Sequence, residues 1–480
     1  MEDPMTEHGT QPYDLCIIGA GPGGYVAAIR ARQLGARVAL IEKERIGGTC
    51  LNHGCIPTKA LVSQAELYQE MLRAAEFGID VEGAVRVNFA RMMARKAEVT
   101  ETLVRGVEEL VAGHGVDVYA GVGTLLTPTQ VRVTPLPGAG GEPVILEARR
   151  IILATGSEPA RVPIPGTDLP GVVTSRELLQ ITELPRSLVV LGASVVGMEF
   201  ACIFNALGTQ VTVVGRRTFL KDADPQLAKR FRALIRKAGV PSIIGVQFRQ
   251  IVQTDEGKLR VEWEREGQVE SAEGDLVLLS TGRTPYTEDL GLENVGVATE
   301  GRAIRVNAYL ETNVPGIYSI GDVSSPYQLA HVASHEGEIA VQNALGARIA
   351  VDYRAVPACI FTMPELASVG LTEEQAKEEG IEVEVARFPY AVNGRALGMG
   401  QTEGLIRLVV EKGSGVVLGM HILGARASDL IAEGALAIQH RLTARDIAET
   451  IHAHPTLPEI VMEAAKAAAY GEAIHYRKVR

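Results

Sequence analysis

The stretch that decides the fold is YDLCIIGAGPGGYVAAIRARQLGARVALIEK, residues 13–43. It starts with an apolar run, turns at glycines, continues with a helical pattern that stops at Gly35, and ends with a second apolar run. Two strands joined by a helix form a βαβ unit, because parallel neighbours need a helical crossover. The sequence therefore predicts a parallel sheet of the α/β class.

The pattern returns in RSLVVLGASVVGMEFACIFNALGTQVTVVGR, residues 186–216. At a constant offset, Gly19 corresponds to Gly192 and Gly24 to Gly197. Two copies about 170 residues apart predict two dinucleotide-binding domains. From about residue 353 the pattern changes to strands followed by helices at 427–440 and 459–470, which indicates an α+β third domain.

The first copy carries the spacing G-x-G-x-x-G at Gly19, Gly21 and Gly24. These glycines allow a tight turn and let the backbone approach a pyrophosphate, which the following helix N-terminus favours. Glu42 ends the second strand, where a carboxylate can accept hydrogen bonds from ribose hydroxyls. The first copy is therefore predicted to bind a dinucleotide, and an ordinary glycine turn is the alternative.

The second copy departs from this pattern at two positions. Ser194 stands at the middle glycine, and Gly215 stands at the position of the acid. Arg216 and Arg217 follow Gly215. A carboxylate there favours NAD, whereas an arginine can accept the 2′-phosphate of NADP. The arginines therefore leave NADP open, unless both are solvated surface charges.

Two of the five cysteines lie close together in GGTCLNHGCIPTK, residues 47–59. Cys50 and Cys55 cannot meet on a regular helix, but Gly54 and Pro57 predict a distorted turn that enters one. Cys55 would then lie near a helix N-terminus with Lys59 one turn on, and both features favour a thiolate. A redox disulfide is the main prediction. Zinc would need two further ligands, and inert thiols are the remaining alternative.

Composition limits the other classes of function. The net charge of −11 argues against nucleic acid as a main partner. No apolar run is as long as a membrane span, and the acidic N-terminus does not resemble a secretory signal. We therefore expect a cytoplasmic protein without a resident metal.

His454 and Glu459 form a candidate acid–base element in HAHPTLPEI, residues 452–460. Histidine is a suitable base near neutral pH, and a carboxylate can hold its tautomer. An alternative is that Thr456 to Glu459 form a capping box at the start of the last helix. His452 is a nearby histidine without an acid at the same offset.

Together these residues resemble the flavoprotein disulfide reductase family from about Tyr13 to the final helix. GGTCLNHGCIPTK is the most specific motif, while HPTLPE, NGRALGMGQTEG and LGMHILGARASDLI are similar to members that oxidise dihydrolipoamide. The resemblance implies two Rossmann-like dinucleotide-binding domains, one inserted in the other, plus a C-terminal α+β dimerisation domain. The implied boundaries are 1–155 and 284–352 for FAD, 156–283 for NAD(P), and 353–480 for the interface.

The resemblance also implies the site residues. Contacts to FAD are expected from Gly19, Gly21, Gly24, Glu42, Lys59, Gly123, Asp322 and Ala330. Contacts to NAD(P) are expected from Gly192, Gly197, Glu199, Arg216 and Gly282. The catalytic residues would be Cys50, Cys55, His454 and Glu459, with His454 acting on the partner subunit of a homodimer.

The implied activity is oxidation of protein-bound dihydrolipoamide to lipoamide. Electrons would pass through a Cys50–Cys55 disulfide and FAD to NAD+. The lipoyl group would arrive on an acyltransferase or carrier protein of a 2-oxo acid dehydrogenase or glycine cleavage complex. Because Gly215 replaces the expected acid, an NADPH-dependent disulfide or metal reductase similar to mercuric reductase is the alternative. A flavoprotein that serves as a binding subunit is a third hypothesis, which the cysteine pair and His454 disfavour.

Overall fold

The computed structural model describes residues 12–138 and 140–476. The chain divides into two compact units, each made of segments that are discontinuous in sequence. The first unit contains the described residues of Met1–Pro57, Arg95–Ala160 and Arg283–Val351. The second unit contains those of Thr58–Ala94, Arg161–Gly282 and Asp352–Arg480.

A seven-stranded sheet forms the centre of the first unit. Its parallel part runs, in spatial order, Asp117–Ala120, Val38–Glu42, Tyr13–Ile18, Val144–Leu153 and Ile317–Ser319. Gln130–Thr134 and Val122–Thr127 extend it in antiparallel pairing. Leu15 and Ile17 pack into one apolar core, and Cys16 and Ile18 pack into another. The sheet is therefore covered on both faces, as parallel sheets usually are.

Helices and short strands complete the first unit. They are the helices Pro22–Gln33, Gly48–His53, Leu292–Val295 and Ala330–Ala344, the 3₁₀ turn Gly321–Val323, and the strand pairs Ser157–Pro159 with Arg283–Pro285 and Thr299–Glu300 with Ala303–Ile304. The helices Cys55–Leu72 and Phe89–Gly113 each cross from one unit's sequence into the other's. Small residues let Pro22–Gln33 pack closely on Ala330–Ala344, since a Cβ at Gly337 would lie 2.6 Å from the carbonyl oxygen of Gly23.

The second unit contains the second βαβ copy in a five-stranded parallel sheet. Its order is Ser242–Ile244, Gln210–Gly215, Ser187–Leu191, Leu276–Leu279 and Val172–Val173. Helices of this part are Ser175–Leu178, Val195–Ala206 and Pro225–Lys237. An antiparallel sheet follows with strands Gln247–Gln253, Leu259–Arg265 and Gln268–Gly274. Apolar side chains on Ser187–Leu191 pack into two different cores, so this sheet is also covered on both faces.

A five-stranded antiparallel sheet forms the C-terminal part of the second unit. Its order is Ala358–Ile360, Glu365–Gly370, Val417–Gly424, Leu405–Glu411 and Val383–Pro389. The remaining helices and turns of this unit are Ala74–Phe77, Glu373–Glu378, Tyr390–Val392, Gly394–Gly398, Ala427–Gln439, Ala444–Glu449 and Glu459–Tyr470. The helices predicted at 427–440 and 459–470 are confirmed. So is the predicted fold class of two βαβ-based nucleotide folds with a C-terminal α+β domain.

A buried ion cluster joins two parts of the second unit. Arg407, on a strand of the antiparallel sheet, is fully buried and donates to Asp224 at 3.0 Å and to Glu373 at 3.0 Å. Asp224 is the N-cap of the helix Pro225–Lys237 and accepts from the backbone N–H groups of Gln226 and Leu227. Removal of one partner would leave the others charged and desolvated, which is energetically costly. The cluster therefore holds the strand that carries Arg407 against the N-terminus of the helix Pro225–Lys237.

Among the helices in residues 12–138 and 140–476, none is both long and apolar enough to cross a bilayer.

Candidate active site

The first glycine turn, residues 19–24, depends on the absence of side chains. Gly19 has a φ of 101°, and a Cβ there would lie 2.4 Å from the carbonyl oxygen of Ala154. A Cβ at Gly24 would lie 1.8 Å from the carbonyl oxygen of Gly19. Gly21 precedes the helix Pro22–Gln33 as its N-cap without a side-chain hydrogen bond. The turn therefore presents backbone at a helix N-terminus, the arrangement that binds a pyrophosphate.

Glu42 lies at the end of the neighbouring strand and is tied to the first glycine turn. Its Oε2 accepts from the N–H of Ala20 at 2.7 Å, and its Oε1 accepts from the N–H of Glu44 at 2.8 Å. Burial raises the pKa of the Glu42 carboxyl above its ordinary value, while the backbone hydrogen bonds oppose that change. The carboxylate is thus positioned at the turn by backbone donors, the location of the ribose-binding acid in dinucleotide folds.

Asp322, Gly123 and Ala330 lie on separate elements of the first unit. Asp322, in the 3₁₀ turn Gly321–Val323, accepts a hydrogen bond from the hydroxyl of Ser157 at 2.5 Å. Gly123 is buried on its strand, where a Cβ would lie 3.0 Å from Ile18 Cγ2. Ala330 is the first residue of the helix Ala330–Ala344.

Arg283 is a residue of this region that the motif analysis did not single out. Its guanidinium donates to the hydroxyl of Ser157 at 2.7 Å and to the Ser157 carbonyl at 2.6 Å, and it lies 3.8 Å from Asp322. Burial lowers the pKa of Arg283, while electrostatic interaction with Asp322 and Cys55 opposes that change. The sequence STGR between a strand and a turn was the available signal. The arginine places a positive charge near the Cys55 sulfur.

The cysteine pair lies at a break between two helices. Cys50 is in the helix Gly48–His53, and Cys55 is the first residue of the helix Cys55–Leu72. Gly54 interrupts the helical path with φ −143° and ψ −107°. Both cysteines are half-buried. The predicted turn into a helix with Cys55 at its N-terminus is confirmed, and this location favours a thiolate.

Lys59 and Glu199 form an ion pair in the second unit. Lys59 Nζ donates to both carboxylate oxygens of Glu199, at 2.9 and 2.8 Å. Glu199 is 4% exposed and also accepts from the backbone N–H of Phe361 at 3.0 Å. Lys59 additionally lies over the Phe361 ring, 4.5 Å from its centroid. The pair fixes the position of the ammonium group one helical turn beyond Cys55.

The second glycine turn, residues 192–197, repeats the geometry of the first. Gly192 has a φ of 114°, and a Cβ there would lie 2.4 Å from the carbonyl oxygen of Ser280. A Cβ at Gly197 would lie 2.3 Å from the carbonyl oxygen of Gly192. Ser194 is accommodated because its hydroxyl donates to the carbonyl of Ser280 at 2.8 Å and accepts from the N–H of Gly197. The serine is thus the helix N-cap rather than an obstacle.

Gly215, Arg216 and Gly282 complete the predicted nicotinamide set. Gly215 is buried at the end of its strand, and Arg216 is exposed directly after it. Gly282 is exposed with a φ of 127° and has open space where a Cβ would be.

His454 and Glu459 are brought together as predicted. Nδ1 of His454 lies 2.9 Å from Oε1 of Glu459, and the imidazole is 79% exposed. Oε2 of Glu459 accepts from the N–H of Thr456 at 2.8 Å. Burial opposes ionisation of Glu459, but the hydrogen bonds from Thr456 and His454 outweigh it and hold the pKa of this carboxyl below its ordinary value. The carboxylate therefore requires a proton on Nδ1, which leaves the Nε2 lone pair available to accept a proton.

The capping-box alternative is met only in part. The Thr456 hydroxyl donates to the carbonyl of Ala453 at 2.6 Å, and the helix N-cap is Pro458, without a side-chain hydrogen bond. Only the contact between the Thr456 N–H and Glu459 matches a capping box.

Two further residues, His452 and Asn393, hold the loop around His454, and the sequence motifs did not indicate their contacts. His452 Nδ1 lies 2.8 Å from the carbonyl of Thr450, and its Nε2 lies 3.0 Å from Glu433 Oε1. Asn393 donates to the carbonyl of Thr456 at 3.1 Å and caps its own helix through its side-chain oxygen. Asn393 opens the NGRALGMGQTEG motif, so the signal was present, but its partner lies 63 residues away.

The predicted residues are distributed between the two units. The first unit holds Gly19, Gly21, Gly24, Glu42, Cys50, Cys55, Gly123, Asp322 and Ala330. The second unit holds Lys59, Gly192, Gly197, Glu199, Arg216, Gly282, His454 and Glu459. Within the described part of the chain, no group of three or more His, Cys, Asp or Glu side chains is arranged to hold a metal ion.

Comparison with known families agrees with this architecture. The model of the pyridine nucleotide-disulphide oxidoreductase family matches residues 13–337, and the dimerisation domain of that family matches residues 356–465. The chain therefore belongs to the pyridine nucleotide-disulphide oxidoreductase family. The predicted resemblance is confirmed, as is the prediction that the chain is an oxidoreductase.

Individual relatives are similar over almost their whole length. A dihydrolipoyl dehydrogenase of Geobacillus stearothermophilus is 42% identical over 465 residues, 96% of this chain and 97% of that protein. A dihydrolipoyl dehydrogenase of Bacillus subtilis is 40% identical over 97% of this chain and 99% of that protein. Among solved structures, LpdA from Mycobacterium tuberculosis has a TM-score of 0.87 at 29% identity and covers 94% of this chain and 99% of that one. The HOCl-induced flavoprotein disulfide reductase RclA from Escherichia coli has a TM-score of 0.83 at 30% identity and covers 94% and 98%.

Proposed function

We propose that the protein is a dihydrolipoyl dehydrogenase, which oxidises protein-bound dihydrolipoamide to lipoamide and reduces NAD+. The observation that carries this proposal is the exposed imidazole of His454, oriented by Glu459. An exposed, oriented base suits a substrate thiol that arrives from outside the chain. The dihydrolipoyl dehydrogenases that are 42% and 40% identical to this chain support the same activity.

The first glycine turn fits FAD, because a Cβ at Gly19 or Gly24 would collide with the backbone of the turn, while one at Gly21 would meet nothing nearer than 4.0 Å, which leaves that face open to a pyrophosphate. The residues proposed to hold FAD are Gly19, Gly21, Gly24, Glu42, Lys59, Gly123, Asp322 and Ala330. When bound, FAD supplies the chemistry that joins a two-electron dithiol oxidation to hydride transfer. The second glycine turn fits a nicotinamide dinucleotide for the same reason. The residues proposed there are Gly192, Gly197, Glu199 and Gly282 for either dinucleotide, with Arg216 added where the dinucleotide is NADP(H).

The proposed thiol chemistry starts with proton removal. Nε2 of His454, from the partner subunit, takes the proton of one substrate thiol. The thiolate attacks Cys50, forms a mixed disulfide and breaks the Cys50–Cys55 bond, so Cys55 leaves as a thiolate. The second substrate thiol attacks the substrate sulfur of the mixed disulfide, and its proton passes to the sulfur of Cys50, which leaves as a thiol. Cyclic lipoamide leaves, and both cysteines are reduced by the electron pair that the substrate lost.

Arg283 has a further role in this proposal. Its guanidinium is fixed by Ser157 and acts electrostatically on Cys55. A fixed positive charge stabilises the leaving thiolate, so Arg283 assists the first exchange step.

The proposal includes the assembly and location of the protein. The family dimerisation domain at 356–465 supports a homodimer. The partner would be a lipoyl-bearing acyltransferase or carrier protein of a 2-oxo acid dehydrogenase or glycine cleavage complex in the cytoplasm. We propose FAD segments at 1–155 and 284–352, a NAD(P) segment at 156–283 and an interface segment at 353–480.

The test is dihydrolipoamide-dependent reduction of NAD+, followed by absorbance of NADH. We expect turnover by the unaltered protein and none by Cys50→Ser, because that variant cannot form the disulfide. In His454→Gln, the rate of NADH formation should fall by about 10²- to 10⁴-fold, the usual contribution of a general base. His440→Gln, at an exposed histidine outside the proposed site, is the matched control. Equal turnover by Cys50→Ser and the unaltered protein would refute the proposal.

The alternative is an NADPH-dependent disulfide or metal reductase of the same family. Gly215 followed by Arg216 favours it, because the acid typical of an NAD site is missing. NADPH-driven reduction of a disulfide or a metal ion, without turnover of dihydrolipoamide, would support this alternative.

A further inference from the structure

The two βαβ copies have the same hydrogen-bond framework around the ribose position. In the first copy the N–H of Gly19 donates to the carbonyl of Ile41 at 2.8 Å, and in the second the N–H of Gly192 donates to the carbonyl of Val214 at 2.8 Å. The loop after the strand also returns to the turn in both copies. Gly47 N–H donates to the Ala20 carbonyl at 2.8 Å, and Leu220 N–H donates to the Ala193 carbonyl at 3.0 Å.

The copies differ at the acid position. Glu42 places a carboxylate against the N–H of Ala20 at 2.7 Å. At the corresponding Gly215, a Cβ would lie 2.8 Å from Ile244 Cδ1 and 3.3 Å from the Cβ of Ala193. The volume that an acidic side chain would enter is thus partly filled by Ile244. The second copy lacks the carboxylate that accepts from a ribose 2′-hydroxyl and repels a 2′-phosphate.

The loop of residues 216–220 carries positive charge next to this position. Arg216 and Arg217 are both exposed, and neither has an ion-pair partner in the described part of the chain. The contact of Leu220 with Ala193 holds this short loop at the second glycine turn. Lys221 and Asp222 come next and lie 3.9 Å from each other, so their charges offset. The two arginines therefore set the local charge.

We infer that the second nucleotide site accepts NADP(H) as well as NAD(H), with Arg216 and Arg217 binding the 2′-phosphate. The inference deepens the proposed function and rests on it for the presence of a nicotinamide site. A guanidinium pairs with phosphate oxygens through charge-assisted hydrogen bonds. Two guanidinium groups carry the two positive charges that balance a phosphate dianion. Binding of NAD(H) needs neither arginine, because the glycine turn and helix N-terminus hold the pyrophosphate.

The test compares adenosine 2′,5′-bisphosphate with 5′-AMP by calorimetry on the flavin-containing protein. We expect the bisphosphate to bind at least about tenfold more tightly than 5′-AMP. In the double variant Arg216→Ala/Arg217→Ala, the affinity for the bisphosphate alone should fall by about tenfold to a hundredfold. Arg249→Ala, at an exposed arginine on the strand Gln247–Gln253, is the matched control. Anaerobic reduction of the bound flavin by NADPH should slow in the double variant, while reduction by NADH stays unchanged.

Two results would overturn the inference. One is equal affinity for the two probes in the unaltered protein. The other is an equal loss of affinity for the two probes in the double variant, which would mean that the arginines attract any nucleotide irrespective of its 2′-phosphate. Failure of the proposed function is separate, because neither probe binding nor flavin reduction involves lipoamide. Tight, arginine-dependent binding of the bisphosphate in a protein that does not oxidise dihydrolipoamide supports the inference and refutes that substrate.

Discussion

Glu459 uses its two carboxylate oxygens for two different donors. Oε1 faces His454 Nδ1, and Oε2 accepts from the N–H of Thr456. The spacing in HPTLPE suggested either a catalytic pair or a capping box. In the structure the same side chain makes the histidine contact and one of the two contacts of a capping box. The spacing alone could not show this, because it does not separate the two oxygens of one carboxylate.

Replacement of Glu459 by glutamine tests this double role. Glutamine offers a single acceptor, so one of the two donors loses its hydrogen bond and His454 is no longer held in one tautomer. We expect dihydrolipoamide oxidation to fall by about tenfold to a hundredfold, the cost of one hydrogen bond to a charged group. The measurement is steady-state NADH formation, with kcat and KM determined separately.

The control for this variant is Glu449→Gln, an exposed glutamate paired with Arg445 on the surface. Flavin reduction by NADH should be unchanged in Glu459→Gln, because that half of the cycle does not use His454. Unaltered kcat with dihydrolipoamide would contradict an orienting role for Glu459.

At the scale of elements, each glycine turn shows which glycines are essential. A Cβ at Gly24 would overlap the carbonyl oxygen of Gly19, whereas one at Gly35 would meet nothing within 4 Å. Gly35 has a φ of 85°, so it needs only a left-handed backbone, while Gly24 needs empty space. Because both positions belong to the same βαβ unit, substitutions at them can distinguish the need for a left-handed backbone from the need for empty space.

We expect Gly24→Ala to abolish FAD binding or folding, because the strand and helix must move apart. Gly35→Ala should retain FAD and lose about 1 kcal/mol of unfolding free energy, the cost of a non-glycine residue in the left-handed region. The ratio of flavin to protein absorbance and thermal unfolding measure both. A Gly24→Ala protein with full FAD content would contradict this account of the turn.

Periodicity and glycine spacing were sufficient to predict both βαβ units, the third domain and a helix N-terminus near Cys55, although Pro57 was expected near the first helical position and the helix begins at Cys55. These features are local, since each depends on residues that are neighbours in sequence. Contacts between distant segments could not be predicted in this way. Arg407 lies in the apolar run LIRLVV, which predicts a strand, but its partner Asp224 is 183 residues away. Leu220, at φ 45°, takes the left-handed conformation where the first copy has Gly47, and no propensity indicates that.

At the scale of the folded chain, the Arg407 cluster of the second unit carries a pH dependence through His421. His421 lies opposite Arg407 on the neighbouring strand, and its Nε2 donates to the carbonyl of Leu371 at 3.0 Å. Burial lowers the pKa of His421, and Arg407 acts in the same direction, while the Leu371 carbonyl, Asp224 and Glu374 oppose them. The imidazole is therefore neutral in the folded protein at neutral pH.

A neutral buried histidine makes the folded state less stable in acid. The unfolded chain binds the proton at its ordinary pKa of about 6.5, so the unfolded state gains protons first as the pH falls. We expect the free energy of unfolding to decrease below about pH 6.5 by up to about 1.4 kcal/mol per pH unit from this group. Urea unfolding of the unaltered protein and His421→Gln between pH 5 and 8 measures this contribution.

The His421→Gln variant should lack this part of the slope, although it is less stable overall. His440→Gln, at an exposed position, should keep the slope of the unaltered protein. An identical pH dependence in His421→Gln and the unaltered protein would assign the acid sensitivity to other groups.

The loop that carries His454 has a consequence for the kinetics of assembly. Its shape is set within one chain by Glu459, Thr456, Asn393 and the contact of His452 with Glu433. In the proposed homodimer, the loop is thus ordered before the subunits associate. Association therefore does not have to order this segment as well. Encounter of two subunits should then be limited by collision and alignment of rigid surfaces. Each newly formed pair would be competent at once, without a slow maturation of its proton-accepting group.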